Sequence, residues 1–514
     1  MFTLDSLLRA QATDRPEQTA LIFGDTVLSY ADLHHRTDQL ARYLRSNGID
    51  EGSRVGMLAK NTHAFYETLF ACAKVGAVLV TFNWRLSPRE LATILADSDA
   101  GLLLVDEEFL PNLPSEHAEY LTTGSDYESA LASHAVEGDL LEDVPFRSRG
   151  STPILQLYSS GTTGLPKGIV ITHENLSKTP DNAMKLFGMS ADTVNLVVSP
   201  LFHVGGLGYG LHAFTVGGTT VVSAVADSAT LCRLIERWGV THSFMVPSMI
   251  QQLIDSDEIQ TTDISTLARI GFGGAPVSDA LYRRGTAALG CEFTAVYGMT
   301  ETSGTVVADY PGLAEESGPR RPADACGKPL PWIGEVAIFS PETGEPCAVG
   351  ETGEIWVRSP QVVNGYWKRP EETASTFRAD GWFRTGDAAY VDADGFVFLK
   401  DRIKDMIISG GENVFPAEVE AVLAELSDVR EVAVIGVPSE KWGETVKAII
   451  VSRDGAALDE AQVIAYAREN LAHFKCPTSV DFVGELPHNS SGKILKAELR
   501  AQFAPVSTDT GGVT

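Results

Sequence analysis

LQLYSSGTTGLPKG, residues 155–168, runs from an apolar, strand-like opening into a stretch with almost no bulk. Between Tyr158 and Gly168, four glycines or prolines stand among five hydroxyl residues, and Lys167 is the single charge. Glycine lets a backbone approach an anion closely, and successive N–H groups form a concave nest for phosphate oxygens. Ser159, Ser160, Thr162 and Thr163 add hydroxyl donors, Gly161 and Gly164 supply the bends, and Lys167 adds a point charge. The spacing matches neither G-x-x-x-x-G-K-[ST] nor G-x-G-x-x-G. On composition alone, a plain surface turn competes with a phosphate cradle.

Around this loop, short apolar runs alternate with helix-like segments. Residues 54–59 read as a strand, 64–76 as a helix and 77–82 as the next strand; the pattern returns at 221–226, 230–239 and 240–246. Such βαβ alternation predicts an α/β fold built on parallel sheet. Between about 330 and 400, short strands separated by Gly and Asp turns predict a small β region. Beyond Asp401, a helix over 416–426 begins with proline, strands cover 431–437 and 446–452, and a second helix covers 458–470. These predict a smaller C-terminal α+β domain of roughly 110 residues, an ordinary domain size. The last ten residues read as a frayed tail.

The chain has 514 residues, 44% of them hydrophobic, enough for two to four domains with a sizeable core. A net charge of −28 argues against nucleic acid or an anionic membrane as the main partner. None of the six cysteines forms a C-x-x-C pair, and His473-x-x-Cys476 lacks a second ligand pair, so reduced thiols in a cytoplasmic protein are expected. The opening MFTLDSLLRAQATDRPEQ carries an early Asp5 and no long apolar run, so it is not read as a signal peptide. The longest apolar stretches, such as 75–82, fall short of the ~18 residues that span a bilayer, and no transmembrane segment is expected.

Six further stretches follow the loop: PLFHVGG (200–206), GFGGAPV (271–277), VYGMTET (296–302), GWFRTGD (381–387), KDRIKDMIISGGENVFPAEVE (400–420) and NSSGKILK (489–496). In wording and order this set resembles the adenylate-forming superfamily of acyl-CoA synthetases, adenylation domains and luciferases. Its bacterial acyl-CoA synthetase branch is the nearest in wording. The resemblance implies a ligase using ATP, Mg²⁺ and coenzyme A. A carboxylate attacks the α-phosphate to form an acyl-adenylate, and the CoA thiol then displaces AMP. It also implies a large N-terminal domain of stacked α/β subdomains with the small β region (1–403), binding AMP and acyl group. A mobile C-terminal domain (404–514) follows, hinged near Lys404.

Residue by residue, the resemblance assigns the loop Ser159, Ser160, Gly161, Thr162, Thr163, Gly164 and Lys167 to the β- and γ-phosphates. Glu301 is the Mg²⁺ ligand, and Thr300 donates to a phosphate oxygen. Tyr297 and Gly298 lie against adenine, with Gly274, Ala275 and Pro276 passing beneath. Asp387 takes the ribose hydroxyls and Arg402 the ribose or phosphate. Lys493 offsets the charge that builds up as carboxylate meets α-phosphate. Gly410 and Gly411 line the pantetheine route, and His203 gates the carboxylate. Val204, Gly205, Gly206, Phe244, Pro247 and Gly273 border the acyl site. Relatives often carry bulk at the place of Gly205, so a long or wide pocket is expected here. No Arg or Lys occurs in LFHVGGLGYGLHAF (201–214), which disfavours a dicarboxylate. The expected substrate is an apolar acid: fatty, aryl-propenoic or polycyclic, with no choice among them. A stand-alone enzyme loading a carrier protein and a catalytically inactive nucleotide-binding relative are the alternatives. A homodimer is allowed for.

Overall fold

The computed structural model describes residues 2–114, 119–135, 148–159, 166–274, 279–310, 321–322, 324–409, 412–439, 441–453, 455–456, 458–488 and 494–503. Contacts group the chain into two compact units. One comprises residues 1–337, 356–384 and 392–397; the other comprises 338–355, 385–391 and 398–514.

The first unit holds two large sheets. In the six-stranded sheet, Arg54–Leu58 lies between Val78–Thr81 and Ala100–Val105, all parallel. The edge strand Lys167–Thr172 runs antiparallel to Pro153–Ser159. In the nine-stranded sheet, six strands from Glu292–Met299 across to Thr19–Phe23 run parallel, with antiparallel strands at both edges. The predicted βαβ units are present: His63–Val75 and Ser228–Trp238 are the crossover helices. The strand expected over 221–226 is instead Thr219–Val222, because Ser223 Oγ turns the chain by bonding the carbonyl of Val225 at 2.6 Å.

The helix His63–Val75 is buried almost throughout, as its sequence HAFYETLFACAKV demands of a helix apolar on every face. One hydrophobic core joins it to residues of both sheets, including Val55 and Leu79 of one and Leu21 and Val222 of the other. Gly76, at φ 77°, ends the helix in the left-handed conformation that glycine adopts without a Cβ penalty. Two charges enter this core only in pairs. Lys74 meets Asp38, and Glu67 is held by Arg36 and by the Tyr127 hydroxyl at 2.6 Å. An unpaired buried charge would cost several kcal/mol.

Two core histidines give this unit a pH dependence. His173 Nδ1 accepts the Leu4 amide at 3.2 Å, and His212 Nδ1 lies 2.9 Å from the Tyr209 carbonyl. Burial pushes both down to about 4, so the native state holds them neutral. The unfolded chain, titrating near 6.5, binds more protons below that pH, so stability rises with pH between about 4 and 6.5. Urea denaturation is expected to show stability intact above pH 6.5 and lost on acidification. The slope is up to about 1.4 kcal/mol per pH unit for each histidine, and His212→Asn should flatten it.

Between 328 and 402 the expected small β region is found. Four strands, Glu335–Phe339, Gly353–Arg358, Phe383–Val391 and Val397–Arg402, form one sheet. The second unit has its own five-stranded sheet. Val429–Ser439 and Gly443–Ser452 form its long antiparallel hairpin, and Pro416–Leu423 and Glu460–Asn470 pack on the core. The helix expected over 416–426 ends at Leu423. Among the described residues, no helix is long and apolar enough to cross a membrane.

Candidate active site

The strands on either side of the glycine-rich stretch pair antiparallel, with Ser159 opposite Lys167. Ser160, Gly161, Thr162, Thr163 and Gly164 lie outside the described residues. Lys167 forms an ion pair with Glu372, and its Nζ stands 4.8 Å from the Tyr366 ring centroid. The Tyr366 hydroxyl donates to Glu301 Oε1 at 3.1 Å. Glu301 is 8% exposed, and its backbone carbonyl accepts the Val363 amide at 3.0 Å. Lys167 and the candidate metal ligand Glu301, 134 residues apart by number, thus meet on one side chain, the first over the ring of Tyr366 and the second at its hydroxyl.

Tyr366 and Glu372 were missed in the sequence. Their segment, NGYWKRPEE (364–372), carries a local signal all the same. Gly365 takes φ 148°, where a Cβ would lie 2.4 Å from Thr373, and Lys368 takes φ 53°. The resulting turn docks against the strand Lys167–Thr172: the Trp367 amide donates to the Gly168 carbonyl at 2.7 Å.

The other nucleotide candidates of this unit sit at the carboxyl ends of adjacent parallel strands, where open α/β sheets bind ligands. Gly273 and Gly274 follow Arg269–Phe272, and Tyr297 and Gly298 end Glu292–Met299. Thr300 and Glu301 form the turn Thr300–Thr302 beyond it. Close approach explains two of these glycines. A Cβ on Gly273 would lie 2.6 Å from the Val296 carbonyl oxygen, and one on Gly298 would lie 2.0 Å from that of Gly304. Tyr297 is 9% exposed. Ala275 and Pro276 lie outside the described residues.

His203 caps the helix Val204–Val216, which begins with the acyl-site candidates Val204, Gly205 and Gly206. Its Nε2 is enclosed and finds no hydrogen-bond partner among the described residues. Burial, aided by the charge of Arg85, pushes it down to about 4, so the ring is neutral at pH 7. Phe244 lies on the strand His242–Met245, and Pro247 opens the next helix. Gly205 faces the Phe244 ring, whose Cε1 would lie 3.3 Å from a Cβ at that position.

In the second unit, Asp387 is 8% exposed and its Oδ1 lies 2.8 Å from Arg402 Nε. Arg402 also donates to the Thr385 carbonyl at 3.1 Å. The two residues, assigned separately in the sequence, form one charged pair. Lys404 is exposed on the turn Ile403–Asp405, while Asp405 is buried against Arg500 at 2.7 Å. Gly410 and Gly411, between the strands Ile407–Ser409 and Glu412–Val414, lie outside the described residues, as does Lys493. Three residues beyond it, Lys496 anchors the start of the last helix through Glu420 at 2.8 Å.

The donor set suits Mg²⁺. This ion keeps several waters and takes one or two carboxylates together with substrate phosphates. The buried Glu301 carboxylate, which accepts a hydrogen bond from the Tyr366 hydroxyl near Lys167, could supply the protein share of that shell.

The family model for AMP-binding enzymes matches residues 8–367, and that for the AMP-binding enzyme C-terminal domain matches 418–493. A feruloyl-CoA synthase of Amycolatopsis sp is 40% identical over 496 residues, covering 95% of this chain and 96% of its own. A fatty acid–[acyl-carrier-protein] ligase, ScoC, of Streptomyces coeruleorubidus is 36% identical over 509 residues, covering 98% of this chain and 96% of its own. Among solved structures, the O-succinylbenzoate coenzyme A synthetase of Bacillus subtilis in complex with ATP and magnesium ion superimposes with a TM-score of 0.84. It is 28% identical, covering 96% of this chain and 99% of its own.

Proposed function

The chain belongs to the AMP-binding enzyme family, and on that premise we propose an ATP-dependent carboxylic acid:CoA ligase working through an acyl-adenylate. The observation that carries this reading is the Lys167–Tyr366–Glu301 arrangement. It brings a cation and a buried carboxylate to one tyrosine beside the glycine-rich stretch, which supports a role for both with triphosphate and Mg²⁺. The substrate is an apolar acid, and the place of action is the cytoplasm, in keeping with Cys72, Cys232, Cys291 and Cys476 as buried free thiols.

In the first half-reaction the acid's oxygen attacks the α-phosphorus, the bond to the bridging β-oxygen breaks, and pyrophosphate leaves. Two anions must meet, so positioning and charge neutralisation dominate. Ser159, the glycine-rich stretch and Lys167 hold the β- and γ-phosphates. Lys167 leaves Glu372 for phosphate as ATP enters. Glu301 would hold Mg²⁺, which would supply charge neutralisation at the phosphate oxygens. Thr300 donates to a phosphate oxygen, and Tyr297 packs on adenine above residues 273–276. Asp387 takes the ribose hydroxyls, oriented by Arg402. Lys493 stands beside the α-phosphate, and neutral His203 closes the carboxylate end without adding a charge. In the second half-reaction the thiol loses its proton, sulfur attacks the acyl carbon, and the carbon–oxygen bond to AMP breaks. Residues 404–514 swing about Lys404 between the two steps, and Gly410 and Gly411 leave room for the pantetheine arm.

Removing the Tyr366 hydroxyl takes one orienting hydrogen bond from the Glu301 carboxylate. Partners that orient a metal ligand are worth about 10–100-fold in metal affinity. Tyr366→Phe is therefore expected to raise the Mg²⁺ concentration for half-maximal pyrophosphate exchange about tenfold, read from a Mg²⁺ titration at fixed ATP.

The acceptor is tested directly. With acid and ATP in place, free CoA should give thioester and AMP at least as fast as a phosphopantetheinyl carrier protein does. Transfer to the carrier alone would make this a carrier-loading enzyme.

A further inference from the structure

The acyl site has a wall that the sequence hides. Gly205 opens the first turn of Val204–Val216, and its missing side chain is replaced by the Phe244 ring, with Cε1, Cζ and Cδ1 at 3.3, 3.9 and 4.0 Å from the Cβ position. That ring is fixed from several sides. Its centroid lies 5.4 Å from that of Tyr209, which in turn meets Phe187 edge-on at 5.0 Å. The Tyr209 hydroxyl donates to the Ser243 carbonyl at 3.1 Å, and Ser199 Oγ donates to the Phe244 carbonyl at 3.2 Å. A second glycine makes room behind. A Cβ on Gly271 would stand 3.2 Å from Phe244, 3.0 Å from Phe187 and 3.5 Å from Tyr209. Two glycines thus seat one aromatic plug across the face of the helix that leads away from His203. Phe187 and Tyr209 are 1% and 5% exposed, so the plug has no empty space to swing into on that side.

The geometry points to a short acyl pocket, closed by Phe244, that takes compact acids such as single-ring aryl-propenoates and turns away long alkyl chains and polycyclic acids. This rests on the ligase reading and on the helix 204–216 lining the acyl site. Gly205 and Gly271 serve here to admit the plug, and the size limit belongs to Phe244.

The test is pyrophosphate exchange with 3-phenylpropenoate, octanoate, dodecanoate and a steroid-ring carboxylate, for the full chain and for Phe244→Ala and Phe244→Leu. The unaltered enzyme is expected to favour phenylpropenoate over dodecanoate at least 100-fold in kcat/KM. Each methylene beyond the wall carries a penalty in the range of about 10–200-fold discrimination. Phe244→Ala should shift that ratio toward dodecanoate at least tenfold, and Phe244→Leu should shift it less. Thermal unfolding of each variant, set against that of the unaltered enzyme, reports that it is folded. Dodecanoate used as well as phenylpropenoate by the unaltered enzyme would overturn the proposal, as would an unmoved ratio in both variants. Absence of exchange with every acid would instead overturn the ligase reading, and the wall with it.

Discussion

Lys493→Ala is expected to reduce acid-dependent pyrophosphate exchange by about 10²–10³, the scale of losing one preorganised group that stabilises developing charge. The reason is electrostatic. When a carboxylate closes on an α-phosphate, two anions share a few ångströms, and attraction to a cation there grows as the new bond forms. An alanine leaves that charge unopposed. The second half-reaction has a different demand, since the attacked carbon is uncharged and AMP leaves as an anion already bound elsewhere. Supplied with preformed acyl-adenylate and CoA, the variant should make thioester within about tenfold of the parent rate. A variant losing both half-reactions equally would move Lys493 out of the adenylation role and into holding the C-terminal unit.

Glu301→Gln is expected to be nearly as damaging, but in both binding and rate. The amide keeps an oxygen and the hydrogen bond from Tyr366, so the local fold around the turn Thr300–Thr302 should persist. What disappears is the negative charge that a hard divalent cation selects. Mg²⁺ contributes several kcal/mol of charge stabilisation in phosphoryl chemistry. Exchange should therefore fall on the order of 100-fold at ordinary Mg²⁺, with partial recovery as Mg²⁺ is raised. Saturation kinetics at several Mg²⁺ concentrations would read both effects. A full-rate variant with unchanged Mg²⁺ dependence would place the metal elsewhere.

The parts legible in the sequence are those set by local chemistry. Apolar runs of strand and helix length gave the βαβ units, since one period or the other fits a buried face. Turns rich in glycine marked the break between the paired strands that end at Ser159 and begin at Lys167, and the strand ends at Gly273 and Gly298, where backbones approach within a Cβ's reach. What stayed hidden depends on which distant segment fills a space. Glycine at 205 gives no sign of the Phe244 ring that faces it. Glu372 and Tyr366 look like ordinary residues of a polar turn until the fold brings them to Lys167 and Glu301. Asp387 and Arg402 could be named singly from their motifs, but their pairing arises from neighbouring strands of one sheet. Strand ends were off by a few residues where a single side chain, such as Ser223, diverts the backbone.

On this mechanism an acyl-adenylate forms before any thiol is engaged. Incubation with ATP, Mg²⁺, labelled pyrophosphate and an apolar acid, without CoA, tests it most directly. Label is expected to enter ATP only when the acid is present, with AMP accumulating once CoA is added. Label exchange that requires CoA, or ATP consumed to ADP and phosphate, would contradict it.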